Sequence, residues 1–324
     1  MSRVLCGVGP VKEITKRRVM EAAEQVGYTP NAIARSFVLQ QSGNIGVMLP
    51  VIPNVRLFSA YYFSEILSGI GHVVEQRGFS LLLHFHGLGE PPQYSSIFRS
   101  KKVDGCIILG ATSNDMDMYE LAQMHQQGWP FCVVGQHYEQ PYYRIDADHV
   151  DGATQAVTHL IQQGHQKILM LNGPSWFSNS LDRKQGYEAA HRAAGLEMLD
   201  QRSLQGNYSR KSGLALAERV YAMRDEFDAI FAANDRMAIG MMQGLMERGM
   251  VAGRDYAIVG YDNSDASRVT TPPLSSVQVP FFEMGMRAAE ILLDQLSGKI
   301  ARERGCYECL STKLVIRASS HLSK

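Results

Sequence analysis

The chain has 324 residues, 45% of them hydrophobic and 20% charged, with 32 basic and 32 acidic side chains and hence no formal net charge. That length requires two sizeable cores rather than one, and the composition is that of an ordinary globular protein. No apolar run approaches a membrane span, and Gly7, Gly9 and Pro10 interrupt the N-terminal apolar stretch too early for a signal peptide, so a cytoplasmic, non-membrane protein is expected.

Five cysteines (Cys6, Cys106, Cys132, Cys306 and Cys309) form an odd, sparse set that fits a reducing compartment. Cys306-Tyr-Glu-Cys309 has redox or zinc spacing but no second pair beside it, and reads as two ordinary thiols on a loop leading into a strand. The neutral total hides an uneven distribution. Residues 1–43 hold six basic side chains against three acidic ones, a net +3, which leaves −3 for the body. A basic head on a slightly acidic body is a weak electrostatic footprint for nucleic acid.

In chain order, Glu13–Val26 reads as an amphipathic helix with Val19, Ala22, Ala23 and Val26 on one stripe, stopped by Gly27. Residues Asn31–Leu39 have helical spacing over about two turns, too short to persist in water without a partner. Beyond them, short β-branched runs alternate with helical stretches. Asn44–Pro50, Phe79–Phe85, Val103–Gly110 and Pro130–Gly135 are predicted strands, with a helix over Tyr62–Arg77. The rhythm then repeats. Helices are expected over Val150–Gln163, Arg183–Ala194, Ser212–Met223 and Arg236–Arg248, and strands over Lys167–Gly173, Asp228–Asn234 and Tyr256–Asp262. Near the end, Leu274–Pro280 looks extended, Phe282–Leu296 helical and Leu314–Ser319 a last strand. Continuous apolar strands without alternation are buried on both faces, as in parallel sheets. The pattern predicts an α/β protein of two doubly wound, Rossmann-like lobes, with a ligand cleft at the carboxyl edges of their strands.

Eight segments in order carry a family resemblance. Ser2-Arg3-Val4-Leu5 and Gly27-Tyr28-Thr29-Pro30-Asn31-Ala32-Ile33-Ala34-Arg35-Ser36 come first. Then follow Lys102-Val-Asp104-Gly105, His159-Leu-Ile-x-x-Gly164-His165, Arg183-x-x-Gly186-Tyr187, Asn234-Asp235-x-Met237-Ala238-x-Gly240, Gly260-Tyr261-Asp262 and Leu314-Val-Ile-Arg317-x-Ser319. Together they resemble bacterial repressors of the lactose-repressor (LacI/GalR) family over nearly the whole chain. The resemblance implies a periplasmic-binding-protein-like (type I) core behind a helical DNA-binding headpiece and hinge. It divides the chain into a partial headpiece at 1–30, a hinge at 31–43, a first lobe of 44–143 with 278–305, and a second of 144–277 with 306–324.

In that family the hinge folds in the DNA minor groove of an operator as two subunits of a homodimer meet, and a leucine wedges between base pairs. Phe37 occupies the matching position, and a bulky apolar side chain can do the same work. Arg35 is placed for phosphate contact, and Ser2, Arg3, Asn31 and Ala34 fall in the matched segments. Two departures stand out. Lys12 replaces a small capping hydroxyl before the helix, and Met1 falls where the recognition helix should already be under way. As written, the helix-turn-helix is expected to be partial, with most base-contacting positions upstream.

For the cleft, the resemblance points to Arg183 and Asp262 as effector ligands. A guanidinium fork suits vicinal hydroxyls or a carboxylate, and a carboxylate accepts from two hydroxyls at once. Asn234 can both donate and accept. Trp176, Tyr62, Phe63 and Tyr208 are aromatic candidates for stacking on a sugar face. Structural alternatives stay open: Asp262 or Asn234 as a cap, Arg183 paired with a surface carboxylate, and each aromatic as ordinary packing. His84-x-His86 reads as a strand end and Met237, Met241, Met242 and Met246 as core. No phosphate loop, nucleophile elbow, zinc helix or dinucleotide fingerprint occurs. The expected function is thus not enzymatic and needs no cofactor. It is that of a transcriptional regulator, of repressor type, controlled by a small effector such as a sugar; the rival is a stand-alone sugar-binding protein.

Overall fold

The computed structural model describes residues 4, 11–28, 36, 39–51, 57–87, 92–197 and 200–321. The hinge residues Asn31, Ala34, Arg35 and Phe37, and Ser2 and Arg3 before them, lie outside this set. Within it, helix α1 (Glu13–Gln25) carries the basic head. Lys12 stands at its N-cap without a side-chain cap bond, as its chemistry implies, and none of the helix's residues is buried.

The body consists of two six-stranded sheets. The first runs β2 (Ser80–Gly87), β1 (Asn44–Val51), β3 (Gly105–Leu109), β4 (Phe131–Val134), β5 (Tyr143–Ala147) and β11 (Cys306–Leu310), every pair parallel. The second runs β7 (Ser203–Gln205), β6 (Ile168–Asn172), β8 (Ala229–Ala232), β9 (Ala257–Asp262), β10 (Ser275–Gln278) and β12 (Lys313–Val315), with only β12 antiparallel.

Helices cover both faces of each sheet. The first lobe has α2 (Tyr61–Gln76), α3 (Tyr94–Arg99), α4 (Asp115–Gln126) and α10 (Phe281–Leu296); the second has α5 (His149–Gln162), α6 (Ser178–Ala193), α7 (Arg210–Ala222), α8 (Asp235–Met246) and the short α9 (Asp265–Arg268). Strands β3, β4, β8 and β9 are buried along their full length, which is why they read as unbroken apolar runs. Met237, Met241 and Met242 are core residues, as their helical spacing suggests, whereas Met246 is exposed.

The helices approach one another backbone to backbone through glycines. A Cβ on Gly69 of α2 would collide with the Phe282 carbonyl of α10, and one on Gly285 of α10 with the Ile66 carbonyl of α2. The second lobe repeats the device between Gly213 and Met237, and between Gly240 and Arg210. A carboxylate clamp recurs as well. Asp104 accepts from the amides of Ser42 and Gly43 where the chain enters β1 (2.7 and 2.8 Å), and Asp228 accepts from Gln166 and Lys167 where it enters β6 (2.9 and 3.0 Å). Asp104 thereby ties residues 42 and 43 to the first lobe.

Three strands carry the chain between lobes, at β5 to α5, β10 to α10 and β11 to β12. The third crossing corrects the expected division. Cys306–Leu310 belongs to the first sheet, where all five residues pair with Tyr143–Ala147. Boundaries at 143 and 305 assign residues 144–147 and 306–310 to the second lobe, whereas both strands belong to the first sheet. Cys306 and Cys309 are accordingly in an edge strand, not on a loop before it. The last predicted strand is also shorter, Lys313–Val315, followed by a 3₁₀ turn at Ala318–Ser320.

Candidate functional site

Gly110, Gly135, Pro174, Asn234 and Asp262 follow or end strands β3, β4, β6, β8 and β9, and together they border a cavity of about 290 Å³ between the lobes. It sits at the carboxyl edges of both sheets, where open α/β sheets bind ligands. Tyr62, Phe63, Trp176, Arg183, Tyr208, Asn234 and Asp262 all line it.

Arg183, on α6, is only 4% exposed. Its Nη1 donates to the Ala233 carbonyl at 2.7 Å, and its guanidinium lies 4.1 Å from the centre of the Tyr261 ring. The Nε is buried without a hydrogen-bond partner. Among the described residues no carboxylate is within ion-pair distance of this guanidinium, so the surface-pair alternative does not describe it. An unmet donor in a cleft is a place for a ligand acceptor.

Asp262 ends β9 with φ 103°, a left-handed value that an L residue with a Cβ adopts only under constraint. Burial pushes its carboxyl well above the usual carboxylate range; Arg183 and Arg236 oppose the shift, and the neighbouring Asp235 adds to it. Ligand hydroxyls donating to this group would favour its ionised form. Asn234 is committed: its Oδ1 accepts from Met237 N at 2.9 Å as the cap of α8, and its Nδ2 donates to the Tyr208 carbonyl at 3.0 Å. It shapes the wall and holds Tyr208.

Tyr208 has φ 64°, and its hydroxyl donates to Asn179 Oδ1 at 2.8 Å and lies 2.5 Å from Ser180 Oγ. Its ring fills the space a Cβ at position 173 would need. Tyr62 stands edge-on to Phe63 and to Phe281, with burial raising its phenol pKa. Trp176 lines the cavity and is 47% exposed. Three polar lining residues escaped the sequence reading, Asn207 before Tyr208 among them. Arg236 fills the variable position after Asn234-Asp235, and Asn179 falls in the first turn of α6. A charged side chain at the variable position was the signal for Arg236; nothing local marked Asn179.

Other motif residues are structural. Asp235 accepts from Ser264 N, Ser264 Oγ and Ser276 Oγ at 2.7, 2.8 and 2.6 Å. Arg317 donates to the Leu274 carbonyl at 2.6 Å and to Asn263 Oδ1 at 2.5 Å, and Tyr187 donates to the Ile168 carbonyl at 2.8 Å.

Beneath Arg183 lies His149, whose Nδ1 is 3.5 Å from Arg183 Nη2 and whose Nε2 is 3.3 Å from Asp146 Oδ1. Burial, reinforced by the Arg183 charge, lowers its pKa despite Asp146. Burial also lowers His86, His159 and His191, while Asp146 raises His137. The unfolded chain takes up protons at those four positions as pH falls through about 6.5, before the folded chain does. Their contribution to stability is therefore present above pH 6.5 and lost below it, with His137 and the raised Asp262 and Asp235 carboxyls opposing. Replacing His159 by glutamine is expected to reduce the loss of urea-unfolding stability between pH 7.5 and pH 5.5 relative to the parent; an unchanged difference would contradict the burial argument.

The comparisons with known proteins agree with the architecture. Residues 157–320 match the family described as periplasmic binding protein-like domain. The chain is 30% identical to the HTH-type transcriptional regulator CelR of Thermobifida fusca, across 98% of this chain and 93% of that protein. Among solved structures it resembles the CelR–cellobiose complex (TM-score 0.79, 28% identity, 98% and 94% of the two chains). It also resembles the lac repressor dimer bound to operator and the anti-inducer ONPF (TM-score 0.84, 25% identity, 99% and 94%). No described helix is long and apolar enough to cross a membrane.

Proposed function

The chain belongs to the LacI/GalR family of transcriptional regulators, and from that premise we propose that it is a DNA-binding repressor whose operator affinity is set by a sugar or sugar derivative held between its lobes. The observation that carries the reading is the cavity wall, which Tyr62, Trp176 and Tyr208 line together with Arg183 and Asp262. Aromatic faces for sugar C–H surfaces and a few directed polar groups for hydroxyls are what such ligands require. Three strands cross between the lobes, so a ligand that binds one lobe angle better shifts the population toward it. The Asp104 clamp on Ser42 and Gly43 passes that shift to the hinge, and the exposed basic side chains of α1 supply phosphate contacts.

Calorimetry of the full chain against cellobiose, ribose, other neutral sugars and sugar acids is expected to give saturable one-to-one binding by at least one of them. Mobility shifts of duplexes selected from a random pool should then change when that sugar is added. Sugar binding with no duplex retained would favour the stand-alone binder instead, and silence across the panel would retire the sugar reading.

The reading includes a homodimer. Strand β2 is a sheet edge whose Leu81, Leu83 and Phe85 alternate onto one exposed face, joined by Phe58 edge-on to Phe85. A long apolar sheet edge invites pairing with a second chain unless covered. Replacing Leu83 and Phe85 together by lysine is expected to yield monomers by light scattering, with at least about tenfold weaker duplex binding, because two half-sites no longer act together. A double variant that stays dimeric would move the interface elsewhere.

A further inference from the structure

Beside the cavity, and outside its lining, three side chains from different elements converge. His137 follows β4 and Asp146 lies on β5, both in the first lobe; Asp182 is in the second turn of α6, in the second lobe. His137 Nε2 is 2.9 Å from Asp146 Oδ2 and 3.7 Å from Asp182 Oδ2, and one donor atom from each residue falls within 4.8 Å of the other two.

As an ion-pair cluster the arrangement is short of donors. The same His137 nitrogen also faces the Tyr307 hydroxyl at 3.1 Å, so a single ring N–H confronts three oxygens. Asp146 is fully buried. Its Oδ1 is satisfied by the Ala147 amide at 2.8 Å and by His149. Its Oδ2, the oxygen aimed into the cluster, is buried and has only the contact with His137 Nε2 at 2.9 Å, which is not aligned as a hydrogen bond. A buried carboxylate oxygen held by one misaligned donor leaves room for a better partner.

A cation satisfies all three groups at once. With metal–ligand bonds of about 2.0–2.2 Å and tetrahedral angles, donor atoms sit roughly 3.3 Å apart. The observed 2.9 and 3.7 Å fall on either side of that value, within reach of small side-chain adjustments. One imidazole with two carboxylates suits a divalent first-row metal better than magnesium or calcium, which favour all-oxygen shells.

We propose that His137, Asp146 and Asp182 form a divalent transition-metal site of zinc type that bridges the two lobes, with a fourth position open to water. The metal fastens the start of α6 to the first sheet. Asp182 immediately precedes Arg183, and His149 touches both Asp146 and Arg183. The site therefore sets how the cavity's principal cation is held and how far the lobes part.

The test uses the full chain stripped of metal by a chelator. Titration with Co²⁺, followed by visible absorption, is expected to saturate at one equivalent with the intensity of a four-coordinate ion, and Zn²⁺ should displace it. Asp182→Asn is nearly isosteric at a helix position whose side chain is 16% exposed, and should fold as the parent does by circular dichroism. It and His137→Gln should each weaken Co²⁺ binding about tenfold or more. The absence of one-equivalent saturation overturns the proposal. So does saturation that survives both variants, or that disappears only when Cys306 and Cys309 are replaced by serine.

Discussion

Replacing Arg183 by alanine is expected to weaken binding of whichever sugar the wild-type chain takes up by about 2–5 kcal/mol, the range seen when one member of a buried charged hydrogen-bond pair is removed. That is a loss of between roughly thirtyfold and several thousandfold. Arg183 Nε is the unmet donor, while Nη1 and the Tyr261 face fix the guanidinium plane. Removing the side chain takes away both the ligand contact and the support of the wall. The same change leaves the Ala233 carbonyl without its donor, and a stability loss of about 1–3 kcal/mol should accompany it. Arg183→Lys separates the two effects. It keeps the charge but not the planar fork, so stability should recover more than affinity does. Calorimetry with the sugar identified on the wild-type chain provides the measure, and unchanged affinity in Arg183→Ala would remove Arg183 from the site.

The second large effect concerns Gly285. In an exposed helix interior, glycine to alanine stabilises by about 1 kcal/mol. Here the added methyl would press into the Ile66 carbonyl and the Ile70 amide of α2, backbone atoms that cannot rotate away. Overpacking of this kind costs about 1–3 kcal/mol and occasionally more, and reciprocal Gly69 leaves α2 no room to yield. Gly285→Ala is therefore expected to lose about 3 kcal/mol or more in urea unfolding. Gly71→Ala, whose Cβ would meet only the Leu81 side chain at ordinary contact distance, serves as the control and should be neutral or slightly stabilising. Equal stability of the two variants would show that α2 and α10 can separate without penalty.

Most strands that sequence patterning made legible are buried on both faces, because an unbroken apolar run has few other homes; β2 is the exception, an apolar run on an exposed edge. Strand β11 was not among them. Cys306-Tyr-Glu-Cys-Leu310 is an exposed edge, and it becomes a strand only by pairing with β5. Strand β5 itself hides an acidic residue, Asp146, in its interior. Helix α4 buries only Asp117, Leu121 and Met124, so its periodicity is faint. Its place is held by a polar contact instead, the Asp117 carboxylate accepting from the Tyr94 hydroxyl at 2.7 Å and from Thr112 Oγ1 at 2.6 Å.

In the cleft, motif order alone pointed to Arg183 and Asp262, since both sit where strand ends and helix starts face the crevice. It could not separate Asn234, which the structure uses as a cap, from Arg236, which points its charge at the cavity. Residues two apart diverge there because a helix N-cap turns its side chain back to the backbone, while Arg236 in the first turn of α8 lines the cavity.

The sequence by itself determined the family, the two α/β halves and the position of the cleft, because these follow from local periodicity and from short motifs whose residues are contiguous. The tertiary structure alone decided which lobe claims Cys306–Leu310, which motif residues brace the fold, and which side chains meet across the lobes. The convergence of His137, Asp146 and Asp182 is of that last kind. Residues far apart in the chain share a site only after loop closure, packing and desolvation have been settled together, and no window of sequence contains all three.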